Sequence, residues 1–158
     1  MTKIYDFIIV GGGSSGLVTA NKLINKGFKV LVVEEGTRSN NLFFSMPAYW
    51  VKRLNGSTHL KFHKSVPQKQ LNNRQHDIAQ AKILGGGSSV NGMVYMRGKP
   101  SDYDKWETAT GDKNWNWHSI KKNFIKLENN QRFNGEHHGV NGPLNVSFSD
   151  YVAKGSEL

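Results

Sequence analysis

Ile4 to Val10 is a largely apolar, β-branched stretch without proline, and it empties into Gly11-Gly12-Gly13-Ser14-Ser15-Gly16. Leu17, Val18, Ala20, Leu23 and Ile24 follow at helical spacing. A strand, a G-x-G-x-x-G turn and a helix in that order restrict the fold more than any other feature, because this is the context a dinucleotide-binding turn requires. Gly11 permits the tight turn. Gly13 has no Cβ, so a pyrophosphate can approach the backbone, and Gly16 lets the helix pack against the strand. The free N–H groups of the first helical turn, at Ser14 and Ser15, face the phosphates together with the positive end of the helix dipole.

Gly27 punctuates the end of the helix, Phe28–Val33 reads as a second strand, and Glu34 stands at its tip. A carboxylate about 20 residues beyond the glycines accepts hydrogen bonds from an adenosine ribose, and it disfavours a 2′-phosphate, so NADP is a poor fit. Glu35 is the local rival; Glu34 is preferred because it comes first after the apolar run. A glycine turn in a nucleotide-free α/β domain is the alternative reading of the loop taken alone.

A second glycine-rich stretch runs from Ala81 to Gly98. Its Gly85, Gly86, Gly87, Ser88 and Ser89 offer backbone amides and hydroxyls to an anion or a flat ring, and Ser88 or Ser89 is suited to cap a short helix. From the residues alone this is either an anion-binding nest or a flexible loop.

Together the two loops resemble the glucose-methanol-choline (GMC) oxidoreductases, flavoproteins that oxidise alcohols. Val33-Glu34-Glu35-Gly36 resembles their ribose-binding strand end. The second loop is similar to their signature through Tyr95, Gly98 and Asp104. The likeness continues through Asp102-Tyr103-Asp104-Lys105-Trp106, Trp115-Asn116-Trp117, Phe124, Glu128 and the stretch from His138 to Val146. Asn91-Gly92-Met93 and Arg97-Gly98 resemble the choline-dehydrogenase-like branch. The resemblance implies FAD as the cofactor, held by Gly11, Gly13, Ser14, Ser15, Gly16, Glu34, Gly85, Gly86 and Ser88. It places Asn91, Gly92, Met93 and Val94 against the flavin ring. Some members carry a flavin-linked histidine where Val90 stands here, so the flavin is expected to be non-covalent. Gly87 and Gln80-Ala81 also depart from the usual pattern, and neither change removes a needed group. The implied reaction oxidises the CH–OH group of a primary alcohol such as choline by hydride transfer to flavin. Its partners would be a small-molecule alcohol and an electron acceptor (quinone, dye or oxygen). The family's histidine base and its His or Asn partner have no counterpart in residues 1–158. The chain is therefore expected to be the first part of a longer enzyme, inactive alone. A stand-alone FAD- or ADP-binding module without catalysis is the alternative. An NAD-dependent dehydrogenase leaves the second loop without a role.

The expected fold is α/β. A Rossmann-like FAD-binding βαβ unit occupies residues 1–98, and residues 99–158 form a lid and the start of an α+β substrate-binding region, incomplete without C-terminal sequence. The length of 158 residues suits one domain of ordinary size. No cysteine is present, which excludes disulfides and thiolate metal sites and suits a reducing compartment, the cytoplasm or the inner face of a membrane. No apolar run is long enough to span a bilayer. Lys3 ahead of apolar residues imitates a signal peptide, but Asp6 and the glycines interrupt it. The net charge of +9 is spread over scattered lysines, so a solvated basic surface is preferred to nucleic-acid binding.

Further along, a short helix is expected over 48–54 and a strand over 60–66, closed by Pro67. Ser101-Asp102-Tyr103-Asp104 has the capping-box pattern, with Trp106 on the buried side of the helix it opens. Asn116 or Ser119 caps another helix, in which Ile120, Phe124 and Leu127 share a face. Residues 129–141 read as a polar surface loop, and 143–148 as a short strand. The βαβ core is expected to hold Ile8, Val10, Val30, Val32, Leu17 and Leu23. Adjacent His137 and His138 lack a third ligand at metal spacing. His59, His63, His76 and His118 read as surface residues, and Trp115 and Trp117 as helix-docking groups.

Overall fold

A four-residue parallel strand pair anchors the N-terminal half. In the computed structural model, which describes residues 3–38, 46, 58–149 and 154, the chain divides into two units, 1–94 and 95–158. The helix expected over 48–54 lies outside the described residues.

In the first unit β1 (Phe7–Val10) pairs in parallel with β2 (Val30–Val33), Phe7 opposite Val30 and Val10 opposite Val33. Between them runs α1 (Ser14–Ile24). β1 is shorter than the apolar run that predicts it, because pairing begins only where Asp6 clamps the start of β2. The Asp6 amide donates to the Lys29 carbonyl at 2.8 Å, and the Lys29 amide donates to the Asp6 carboxylate at 2.7 Å. Helix α1 ends at a turn in which Gly27 has φ of +90°, a conformation open to glycine without penalty.

α1 covers one face of the sheet. Ile9 and Ala20 lie on that side, and Ala20 is buried. Ile8 and Val10 do not join the core, contrary to expectation: their side chains are 64% and 86% exposed. Successive strand residues point to opposite faces, and parallel strands need cover on both. Among the described residues the second face has none.

β3 (Leu60–Lys64) and β4 (Asp77–Ala81) form an antiparallel hairpin, Leu60 opposite Ala81 and Lys64 opposite Asp77. β4 has no strand-like apolar run and was not foreseen. A 3-10 turn at Lys69–Leu71 and two left-handed asparagines, Asn72 and Asn73 (φ 55° and 59°), reverse the chain between the strands. Beyond β4 the chain meets the tip of β2. The Leu84 amide donates to the Thr37 carbonyl at 2.9 Å, and Ile83 is fully buried there. A side chain on Gly36 would collide with the Lys82 carbonyl, so a glycine is needed for this close approach.

In the second unit α2 (Pro100–Thr110) and α3 (Trp117–Leu127) are joined through a 3-10 turn at Lys113–Trp115. Tyr103 sits between them: it stacks on Trp117 at 5.5 Å and meets Trp106 and Phe124 edge-on. Trp106 is half exposed rather than buried, its ring edge-on to Trp115. The capping residues also differ from expectation. Lys99, ahead of Pro100, is the N-cap, and its amide donates to Asp102 at 3.2 Å. Asp104 instead accepts from the Trp117 amide at 3.1 Å, tying the two helices together. Asn116 caps α3 by accepting from the Ser119 amide at 2.9 Å. β5 (Glu128–Asn130) then pairs in parallel with β6 (Leu144–Val146), so the expected polar loop over 129–141 begins as a strand.

Candidate functional site

The turn after β1 has the geometry its three glycines demand. Gly11 has φ of +95°, and its amide donates to the Val33 carbonyl at 2.7 Å, joining the loop to the end of β2. A Cβ on Gly16 would run into the Gly11 carbonyl, so this position sets how closely α1 approaches the turn. Gly13 differs: it is the N-cap of α1, with φ −79°. A Cβ built there has only the Gly86 Cα within contact range, at 3.9 Å. The space above Gly13 is open, as close approach of a pyrophosphate requires. Ser14 and Ser15 form the exposed first turn of α1.

Glu34 faces this loop. One carboxylate oxygen accepts from the Gly12 amide at 2.6 Å and the other from the Gly36 amide at 2.8 Å. An ionised carboxylate has about four acceptor positions, so two remain for a ribose diol. Glu35 points elsewhere, to the Lys82 ammonium at 2.8 Å. The Lys82 hydrogen bond, with the charges of Lys82 and Lys61, holds the Glu35 carboxyl below the usual carboxylate range. Gly12 was not singled out in the sequence, yet it is buried, and a Cβ on it would lie 2.6 Å from Leu84 Cδ1 and 3.3 Å from Glu34. The signal was its place between two functional glycines.

The second glycine loop lies directly on the first. The Gly85 amide donates to the Gly12 carbonyl at 2.7 Å. Gly86 adopts φ of +55°, and a Cβ there would sit 2.8 Å from Gly13 Cα. Gly86–Ser89 form a 3-10 turn. Its serines do not cap forward: Ser88 donates to the Gly85 carbonyl at 2.7 Å and Ser89 to the Leu84 carbonyl at 2.8 Å. The Ser88 proton is therefore committed inside the loop, so its hydroxyl can engage a further group only as an acceptor. Val90 is 8% exposed. Asn91 accepts from the Met93 amide at 3.0 Å, forming a tight Asx turn with Met93 at φ of +60°. Asn91, Gly92, Met93 and Val94 are exposed and do not line the cavity that the two loops share with the hairpin.

That cavity measures about 710 Å³; Gly11, Gly13, Glu34, Lys61, Gln80 and Gly86 line it. Open amides at a helix start, a glycine floor and a fixed carboxylate fit the pyrophosphate and ribose of a dinucleotide. Of the sequence-predicted residues, the structure brings together Gly11, Gly13, Gly16, Glu34, Gly85 and Gly86.

The second unit holds a polar centre that sequence reasoning missed. Glu128 is fully buried. One oxygen accepts from Asn130 at 2.7 Å and meets His138 Nδ1 at 3.0 Å; the other accepts from Arg97 and from the Gly139 amide at 3.2 Å. Burial raises its carboxyl. The hydrogen bonds from Asn130, His138 and Gly139, with the Arg97 charge, outweigh that and hold it below the usual range. Arg97 also donates to the His137 carbonyl at 2.5 Å and lies over the Phe124 ring at 5.2 Å. His138 thus serves Glu128, and among the described residues no group of three or more His, Asp or Glu side chains is placed to hold a metal. No described helix is long and apolar enough to cross a membrane.

Comparison with known proteins adds to this geometry. A family model described as GMC oxidoreductase matches residues 5–155. The chain is 42% identical over 147 residues to an alcohol dehydrogenase (acceptor) of Pseudomonas putida, covering 91% of this chain and 26% of that protein. It is 36% identical to an oxygen-dependent choline dehydrogenase of Vibrio vulnificus, covering 92% of this chain and 26% of that one. A solved FAD-dependent oxidoreductase from Chaetomium thermophilum superposes with a TM-score of 0.80 at 34% identity, over 98% of this chain and 28% of its own. The chain spans about a quarter of the length of the relatives it matches.

Proposed function

This chain belongs to the GMC oxidoreductase family, and on that premise we propose that it builds the FAD-binding part of an enzyme that oxidises the CH–OH group of a primary alcohol such as choline. One observation carries the reading: two glycine loops in backbone contact, Gly12 to Gly85 and Gly13 to Gly86, with Glu34 hydrogen-bonded into the same turn. The amides at the start of α1 hold the pyrophosphate, the open face of Gly13 admits it, and the free acceptor positions of Glu34 take the ribose hydroxyls. FAD, when bound, supplies the two-electron acceptor for the hydride of the alcohol carbon. Val90 has no nucleophilic atom, so the flavin is held without a covalent link. Residues 91–94 lie against the flavin ring in this reading, and residues 99–158 form the lid and the start of the substrate region.

The residues of this cavity bind and orient; none of His59, His63 and His76 lines it. The alcohol's proton goes to a base outside this cavity, and the electrons pass on to a quinone, a dye or oxygen. The cysteine-free composition suits the cytoplasm or the inner face of a membrane. The test is titration of the purified chain with FAD, ADP and FMN, followed by flavin fluorescence and calorimetry. FAD and ADP should compete for one site and FMN should not displace either. Failure of FAD to bind would overturn the proposal.

A further inference from the structure

The β3–β4 hairpin forms one wall of the cavity, through Lys61 on one strand and Ala79, Gln80 and Ala81 on the other. Side chains alternate along paired strands. Lys61 pairs with Gln80 and His63 with Ile78, so Lys61, His63 and Gln80 share one face. That placement is visible in the structure: His63 Nε2 lies 3.0 Å from Gln80 Oε1, and both Lys61 and Gln80 line the cavity. The other charged groups at the cavity are already paired. Glu34 is bonded to two backbone amides, and Glu35 to Lys82. The Lys61 ammonium acts on Glu35 through its charge, but none of its N–H groups has a hydrogen-bond partner among the described residues.

The direction of β4 fixes which end of a ligand Lys61 meets. Ile83 and Leu84 lead into Gly85 and Gly86, beside the phosphate turn. Moving back along β4 from Ile83 to Gln80 leaves that turn by roughly 10 Å, at about 3.3 Å per residue. Glu34 stands between. Pyrophosphate at Gly13 and ribose at Glu34 therefore put the base of the nucleotide at Lys61 and Gln80. An adenine edge carries ring-nitrogen acceptors, which an ammonium can satisfy by donating hydrogen bonds; uracil carries carbonyl acceptors too, but its single ring reaches less far past the ribose than a purine does.

Resting on the dinucleotide reading above, we propose that Lys61, with Gln80 beside it, reads the adenine edge, so that the β3–β4 hairpin is the base-specificity wall of the site. Lys61 is exposed at its head and packs no core, so its replacement leaves the hairpin folded, which a thermal melt checks. The experiment measures binding of ADP and UDP to the wild-type chain and to Lys61→Met and Lys61→Arg by calorimetry. The wild type should prefer ADP. Lys61→Met should lose about tenfold for ADP and little for UDP, bringing the two affinities together, and Lys61→Arg should restore the preference. Equal losses for ADP and UDP in Lys61→Met would show a long-range charge effect on the phosphates and overturn the adenine assignment. Unchanged ADP affinity would overturn it as well. Failure of the wild type to bind FAD or ADP would instead overturn the dinucleotide reading, and this inference with it.

Discussion

Two glycines that face each other across the loop contact should respond oppositely to the same substitution. At Gly86, alanine meets two penalties. Its φ of +55° is left-handed, which disfavours an L-residue by roughly 1–2 kcal/mol. Its Cβ would lie 2.8 Å from Gly13 Cα, which is backbone and cannot swing aside. Forcing an extra methyl into such a contact costs about 1–3 kcal/mol. The sum, roughly 2–5 kcal/mol, is a large part of the roughly 5–15 kcal/mol that holds a small domain together. With about 2–4 °C lost per kcal/mol for a chain of 158 residues, Gly86→Ala should melt at least about 4 °C lower. At Gly13, φ is −79° and a Cβ has 3.9 Å of clearance, so Gly13→Ala should melt within a few degrees of the wild type. Its methyl occupies the pyrophosphate's approach, however, and Gly13→Val fills more of it. Circular-dichroism melts paired with FAD titration separate the two effects. Gly13→Val should keep its fold and lose measurable FAD binding, whereas Gly86→Ala should lose stability first. If Gly13→Val binds FAD normally, or Gly86→Ala melts with the wild type, the reasoning from loop contact is wrong.

Glu34→Ala should weaken FAD binding by about 1.5–3 kcal/mol through lost charged hydrogen bonds, and should also lower the melting point, because Gly12 and Gly36 lose their acceptor. Glu128→Ala strands Arg97 without its buried partner and should destabilise the second unit by about 3–5 kcal/mol in urea titrations. The Glu128 carboxyl is held below its ordinary value, so its stabilisation is full above the unfolded value of 4.5 and is lost as pH falls through the lower folded value; melts across that window in wild type and Glu128→Gln should converge at the acid end. Acid precipitation of FAD-loaded protein should leave the yellow colour in the supernatant, since Val90 offers no covalent link. The uncovered face of β1 and β2 should make the chain self-associate, and Ile8→Lys combined with Val10→Thr should reduce that association in sedimentation, because both residues are exposed there.

The βαβ unit was legible in the sequence because its signals are local: an apolar run, glycines at fixed spacing, and a helical stripe that restarts after them. Order along the strand also separates the two carboxylates in space: Glu34, first after the apolar run, meets the turn, and Glu35 meets Lys82. β4 was hidden because Asp77-Ile78-Ala79-Gln80-Ala81 is exposed along most of its length and carries no alternation of apolar and polar residues; its partner strand, not its composition, makes it a strand. Ile8 and Val10 read as core residues because sequence reports what a strand is able to bury, not whether a neighbour is there to cover it. The Glu128 centre was hidden for a related reason. Glu128-Asn129-Asn130 looks like loop, and only the joining of Arg97, His138 and Gly139, distant in sequence, makes a buried carboxylate tolerable.

The hydrogen bond from the Gly12 amide to Glu34 joins the turn after β1 to the tip of β2 through the chain's own atoms, which in the proposed cradle are the phosphate end and the ribose end. A receptor assembled in advance spends little of its binding energy on ordering itself. Association should then be a single fast phase whose rate rises linearly with ligand concentration, without the plateau that a slow loop rearrangement imposes. Differences in affinity among nucleotides would reside in how long each one stays. The same closeness makes Gly12 a shared point: a side chain there would meet Leu84 Cδ1 at 2.6 Å and Glu34 at 3.3 Å, pressing on the second loop and the strand tip at once.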